Sequence, residues 1–469
     1  MVFNSLLFGV FFIVVLLLYF RLPHRWQNHL ILVASYVFYG AWDWRFLSLI
    51  WISTTVDWWA GLHLGDDRSP AYRRRVMFLS CLFNLGFLAT FKYYGFFVES
   101  FIDAAALVGW HPDIRVLRVA LPIGISFYTV QSMSYTIEVY RNHLKPAKNL
   151  LEYATFVAFF PHMVAGPIMR ATSLLPQVQN PRVVTRLQVF DGLRLVLWGL
   201  YKKMVIADNM ALIADPIFAR PGPYTFGEVA VGVVAFAFQI YGDFSGYSDI
   251  ARGISKFMGF ELMVNFDLPY LATSPQDFWR RWHISLSTWL RDYLYVSLGG
   301  NRLGRVRTYA NLALTMLLGG LWHGASWTFV VWGAYHGALL AVHRAIAEGR
   351  GDREGRGTAL GWVASVAFMF CLTLYGWLLF RCHTFEQIAQ MTRAIFAGPL
   401  GADSFARFGT LAFYGLPLVI VQCFQRRTGN LDVVGRAPLW VQVPFYLFCL
   451  YSILLLGVFR GAAFIYFQF

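Results

Sequence analysis

Apolar runs of bilayer-crossing length recur along almost the whole chain, near residues 3–20, 28–51, 47–63, 76–98, 117–139, 151–169, 187–206, 228–250, 308–321, 325–343, 361–380, 408–424 and 439–459. A helix needs about 20 apolar residues to cross the hydrocarbon core, and only helices and closed barrels satisfy their backbone groups there. With 58% hydrophobic and 14% charged residues, the chain has too little polar surface to coat a soluble globule. The expected fold class is therefore all-α and polytopic. Because several runs are short or overlap, it should have about eleven or twelve crossings plus re-entrant pieces. No polar linker long enough to divide the chain is present, so one integral-membrane domain over residues 1–469 is expected.

Charge orients such a chain. The formal net charge of +14 comes from short basic clusters between apolar runs: Arg21–Arg25, Arg73–Arg75, Arg141–Lys148, Arg302–Arg307, His343–Arg356 and Arg426–Arg436. This is the pattern of cytoplasmic loops meeting the headgroups of a lipid bilayer. No nucleic-acid-binding motif accompanies it, so nucleic acid is excluded as a partner. The acidic stretch Glu99–Asp113 belongs on the opposite side. Leu6–Phe20 is followed, not preceded, by basic residues, which makes it a retained span and not a cleaved signal. The five cysteines are scattered, without a CxxC pair, as small hydrophobes are; neither a disulfide framework nor a metal site is indicated.

Ionisable groups are costly at bilayer depth and mark cavities or pathways. They concentrate in two segments. In the first, Asp277-Phe-Trp-Arg280-Arg281-Trp282-His283-Ile-Ser285 leads through Trp289, Arg291 and Tyr293. It reads as an amphipathic aromatic helix. Either it snorkels its arginines at the interface, or Arg280, Arg281 and Arg291 grip an anionic donor while His283 orients the reacting groups. In the second, Gly319-Gly320-Leu-Trp322-His323-Gly324-Ala-Ser-Trp327 sets a lone imidazole among small residues, with Trp322 and Trp327 placed to wall off water. A neutral imidazole there can take a proton from a hydroxyl, or it is a core histidine bonded across helices.

Three further stretches carry polar or broken character. Asp243-Phe-Ser-Gly-Tyr-Ser-Asp249 reads as a polar network countering nearby arginines. Pro122–Tyr128 and Phe160–Pro167 are Pro/Gly-broken membrane segments, with His162 structural. Residues 344–360 read as a mobile loop, and Phe464-Ile-Tyr466-Phe-Gln-Phe469 as an interfacial aromatic anchor.

Pro269-Tyr270, the run Phe278–Arg302 and Leu317–Phe329 together resemble the membrane-bound O-acyltransferase (MBOAT) family, in particular its bacterial AlgI-like alginate O-acetylation subgroup. Relatives of that subgroup act in peptidoglycan O-acetylation and teichoic acid D-alanylation. The resemblance runs from Ser35-Tyr-Val-Phe-Tyr39 to Phe469, nearly the whole chain. It implies a helical fold around a central tunnel or funnel, with a catalytic core over about residues 117–343 and the tail 464–469. His323 matches the family's active-site histidine and His283 its second polar position. The implied reaction takes acetyl from acetyl-CoA, as substrate with no bound cofactor, at the bacterial inner membrane. Arg280, Arg281, Trp282, Arg291, Trp322, Trp327 and Asp249 would surround the substrate.

The tail is similar to an aromatic-tyrosine motif that carries an acyl group in the D-alanylation system. That similarity makes Tyr466 an acyl relay toward a periplasmic SGNH-type acetyltransferase or another polysaccharide-modifying partner. The competing class is a transporter or flippase in which the same histidines relay protons; a scaffold acting through loop 344–360 is a third.

Overall fold

The computed structural model describes residues 1–65, 67–116, 121–350, 358–401, 404–459 and 464–465. It is 75% helical, with no strand among the described residues. The all-α polytopic class is borne out. Among the described residues, five helices are long and apolar enough to cross a bilayer: Pro70–Leu107, Phe226–Lys256, Ala359–Arg381, Ala406–Thr428 and Leu439–Leu456. The helices that carry the remaining apolar runs are less apolar, or are shorter, as at Leu6–Tyr19 (14 residues). Four of the five leave most of their apolar surface bare, as lipid-facing helices do, whereas 83% of the apolar window of Phe226–Lys256 is buried. Cys371 and Cys423, expected inside, are exposed on two of the lipid-facing helices.

The chain packs as two compact units, Met1–Leu193 with Ala251–Met263, and Arg194–Ile250 with Val264–Phe469. In the first unit the two broken segments meet. Gly124, at φ +78°, starts the helix Ile125–Tyr140, and a Cβ on it would lie 2.8 Å from the Met163 carbonyl. Only glycine combines that backbone angle with so close an approach. His162 is buried in this unit. Three helices here are joined by a buried polar knot, in which the Asp57 carboxylate accepts from Ser80 Oγ (2.6 Å) and Asn84 Nδ2 (2.8 Å), and Ser80 Oγ lies 3.2 Å from Thr136 Oγ1 on the Ile125–Tyr140 helix. Such knots replace the hydrophobic drive that lipid removes.

The second unit holds both segments singled out above. Its tightest packing is between Arg305–His323 and Trp327–Arg350. A Cβ on Gly320 would run into the Phe329 carbonyl and lie 3.2 Å from Gly333 Cα, so the two backbones touch. The glycines beside His323 thus serve close helix packing. Overfilling such a contact typically costs about 1–3 kcal/mol, so Gly320→Ala should lower the melting temperature in detergent by several degrees. An unshifted melting curve would place the helices further apart than described.

Two expectations on secondary structure are corrected. Residues 344–350 are not loop: the helix Trp327–Arg350 continues through them, and Arg344 Nε meets Glu348 Oε1 at 2.7 Å one turn on. Such i,i+4 pairs support a helix, and the flanking Ala345, Ile346 and Ala347 are compatible with it. Residues 351–357 of the expected mobile loop lie outside the described residues. Nor is 277–293 one amphipathic helix. It is Pro275–Arg281 and Ile284–Trp289, followed by a π segment Leu290–Tyr295. The break falls at His283, whose φ of 44° and ψ of 53° are left-handed. A non-glycine residue held there costs about 1–3 kcal/mol and persists only where its surroundings over-determine it.

Candidate active site

His323 is the last residue of the Arg305–His323 helix, and Gly324 leaves it in extended conformation. The imidazole is 4% exposed. Its ring centroid lies 5.1 Å from Trp322, 5.0 Å from Trp332 and 5.4 Å from Phe380, each ring nearly perpendicular to it. Phe380 is in turn braced by Phe329 at 4.9 Å. Aromatic surface therefore encloses the histidine on several sides. Trp327, expected to be one of those walls, is instead 53% exposed. The turn Gly324-Ala325-Ser326 places it at the start of the next helix, and Trp332, one turn and a half further on, takes the inward position.

His283 is fully buried. Its Nδ1 lies 3.2 Å from Asn265 Oδ1, which also accepts from the Ser285 backbone N–H (3.1 Å) and Ser285 Oγ (2.9 Å). A backbone N–H can only donate, so the Asn265 atom is the carbonyl oxygen and His283 Nδ1 carries the proton. The lone pair is then on Nε2, making it the basic nitrogen. The same asparagine accepts the Ile284 N–H through its backbone carbonyl at 2.9 Å. Asn265 therefore holds the left-handed residue by its ring and the two residues after it by their backbone N–H groups, which explains why that conformation persists. Phe244 stands edge-on to the His283 ring at 4.6 Å, and Trp322 reaches it at 5.9 Å. Trp322 is thus a wall common to both histidines.

The arginines are occupied elsewhere. Arg281 is paired with Asp277 (2.7 Å) and approaches Asp267 (3.8 Å); Arg291 is paired with Asp292 (2.6 Å); Arg280 is exposed. Trp282 is buried against Trp377 at 4.7 Å and Phe266 at 5.0 Å. Asp249 is paired with Lys202 at 2.7 Å, and Asp243 with Lys203 at 2.9 Å. The counter-charges of the Asp243–Asp249 network are therefore lysines, not the expected arginines. Both lysines lie in a π segment, Tyr201–Ala207. This segment passes close beneath the Phe226–Lys256 helix because a Cβ on Gly246 would lie 2.7 Å from the Gly199 carbonyl. Single-turn π insertions are frequent at functional sites. Tyr466 lies outside the described residues, but its neighbours Phe464 and Ile465 are buried, at 4% and 1% exposure, and not spread at an interface as an anchor would be.

The MBOAT family model, described as the membrane-bound O-acyltransferase family, matches residues 45–383. The chain belongs to the MBOAT family. It is 42% identical over 435 residues to the "Probable alginate O-acetylase AlgI" of Pseudomonas syringae pv. tomato, covering 89% of this chain and 82% of that one. The "Peptidoglycan O-acetyltransferase" of Helicobacter pylori is 35% identical, with coverage of 80% and 73%. The "Teichoic acid D-alanyltransferase" of Streptococcus thermophilus is 30% identical over 53% of this chain and 64% of its own length. This MBOAT chain is accordingly a multi-pass membrane O-acyltransferase, and the transporter and scaffold readings give way to an enzyme.

Several residues at this MBOAT site were invisible to sequence reasoning. Trp332, Phe380 and Asn265 carry no motif, and Phe244 was read only as part of the polar Asp243–Asp249 stretch. Lys202-Lys203 did leave a signal, two adjacent cations inside an apolar run, of the kind that marks intramembrane function.

Proposed function

We propose that this chain takes acetyl from cytoplasmic acetyl-CoA and passes it across the bacterial inner membrane for O-acetylation of an exported polysaccharide such as alginate. A periplasmic SGNH-type acetyltransferase completes the transfer. The observation that carries this reading is the enclosure of His323 by aromatic rings beside a second histidine that shares the Trp322 wall. The names of the relatives support the acetyl group and the carbohydrate acceptor.

In the step itself, His323 accepts the proton of a hydroxyl as that oxygen attacks the thioester carbonyl. The C–S bond breaks, the acetyl stays on oxygen, and the thiolate of coenzyme A leaves and recovers the proton. His283, with Nδ1 anchored on Asn265, offers Nε2 to orient the attacking hydroxyl. A water-poor site suits this chemistry, since it strengthens such interactions and suppresses hydrolysis. Tyr466 supplies the hydroxyl and serves as the relay. Arg280, Arg281 and Arg291 sit with their carboxylate partners or at the surface, so they act on the donor's phosphates only from outside the histidine pair.

The test is labelling with radioactive acetyl-CoA in proteoliposomes. Wild type should retain label on the protein, and Tyr466→Phe should lose it with unchanged abundance and melting temperature. Label that survives Tyr466→Phe discards the relay and keeps the enzyme. Absence of both label and thioester turnover in folded wild type overturns the choice of donor.

A further inference from the structure

Asp243 is buried on the Phe226–Lys256 helix and divides its carboxylate between two partners. Oδ1 meets Lys203 Nζ at 2.9 Å, and Oδ2 accepts the backbone N–H of Ile465 at 2.7 Å. The acceptor is thus 222 residues away in sequence from a donor one position before Tyr466. The side chains on either side of this bond are packed as well. The Phe464 ring lies 4.9 Å from Tyr247 and 5.8 Å from Phe244, and Phe244 is the ring that stands edge-on to His283 at 4.6 Å. One phenylalanine therefore separates the tail from the second histidine. The approach to the tail is held too: Val458 N–H donates to the Met204 carbonyl (3.1 Å), and Asn209 Nδ2 to the Leu456 carbonyl (3.0 Å). Both partners belong to the Tyr201–Ala207 π segment or to the residues just after it.

A buried carboxylate that accepts a backbone N–H while already neutralised by a lysine is an uncommon expense at this depth. An ion pair with Lys203 alone would not need to face the tail. We propose that Asp243 is a positioning residue, a latch that holds the chain at Phe464–Ile465 beside Phe244, the ring that stands on His283, by gripping the Ile465 amide. This rests on the proposed function for its purpose, but not for its test. Because the grip is on the backbone, it fixes the chain's register at 465 without depending on the side chain there.

The experiment reads docking and turnover separately, on the full-length protein in nanodiscs. Amide hydrogen exchange of the peptide covering 458–469 should be slow in wild type. In Asp243→Ala it should speed up about tenfold to a hundredfold, the value of a hydrogen bond to a charged acceptor. Asp243→Asn keeps a carbonyl acceptor and should fall between them, which guards against a variant that misfolds. For turnover, Asp243→Ala and Ile465→Pro remove the acceptor and the donor of the same bond. Each should lower acetyl transfer about tenfold, and the double variant no further, because the two changes share one interaction. Losses that multiply, or exchange unchanged in Asp243→Ala, overturn the latch. Retained exchange protection with no label on Tyr466 leaves the latch standing and removes the relay, so the two failures are distinguishable.

Discussion

If His323 is the base proposed above, alanine in its place should lower acetyl transfer by about a hundredfold to ten-thousandfold, the contribution of a positioned general base. The loss should fall on kcat, with the KM for acetyl-CoA little changed, because the imidazole acts on the proton in flight and not on the bound donor. Alanine also empties space among Trp322, Trp332 and Phe380, the rings within 5.4 Å of the imidazole, so some stability is lost with it. His323→Gln separates the two effects. Glutamine refills much of the volume and can still hydrogen-bond, but it has no basic nitrogen. It should therefore melt close to wild type and transfer acetyl as poorly as alanine. Initial rates and melting temperatures of the three proteins decide the matter. A core histidine would give the opposite pattern, with rates within a few-fold of wild type and the damage confined to stability.

What the sequence made legible, and what it did not, follows from the range of the forces involved. Apolar runs report burial in lipid directly, so the all-α membrane class was readable. The breaks at Gly124 and at Phe160–Pro167 were readable because proline and glycine act on their own backbone. The break at His283 was not. Its left-handed conformation is held by Asn265, a residue 18 positions earlier whose side chain and carbonyl bind the His283 ring and the N–H groups of the two residues that follow it. The arginines show the same limit: Arg280, Arg281 and Arg291 advertise anion binding by composition, yet Asp277 and Asp292, nearby in sequence, already hold two of them. Trp322 and Trp327 flank His323 in the sequence, but only Trp322 does so in space, because the Gly324-Ala-Ser326 turn swings the other outward. Of the tail, Phe464 and Ile465 are buried where an interfacial anchor was one expectation, for a related reason. Aromatic content fits both a membrane interface and a buried core, and only the Asp243 contact distinguishes them.

Lys203→Met should destabilise the protein by about 3–5 kcal/mol, the cost of removing one member from a buried ionic group. The lysine bridges Asp208 and Asp243, each at 2.9 Å, and the two carboxylates are only 3% and 4% exposed. Methionine keeps the length and apolar stem of the side chain, so the penalty comes from stranding two anions and not from a cavity. The neighbouring Lys202 provides the comparison. Among the described residues it pairs with Asp249, at 2.7 Å, and that carboxylate is 18% exposed. Water can solvate Asp249 when its partner is gone, so Lys202→Met should cost clearly less. Asp208→Asn added to Lys203→Met should recover part of the loss, because it halves the stranded charge and the two sites share a partner. Asp243 would remain, and with it the hold on Ile465, now by a carboxylate without its lysine. Melting temperatures in one detergent give the order of the four proteins. If Lys203→Met melts no lower than Lys202→Met, the carboxylates at 208 and 243 are solvated or protonated in the membrane, and the lysine is not what keeps them there.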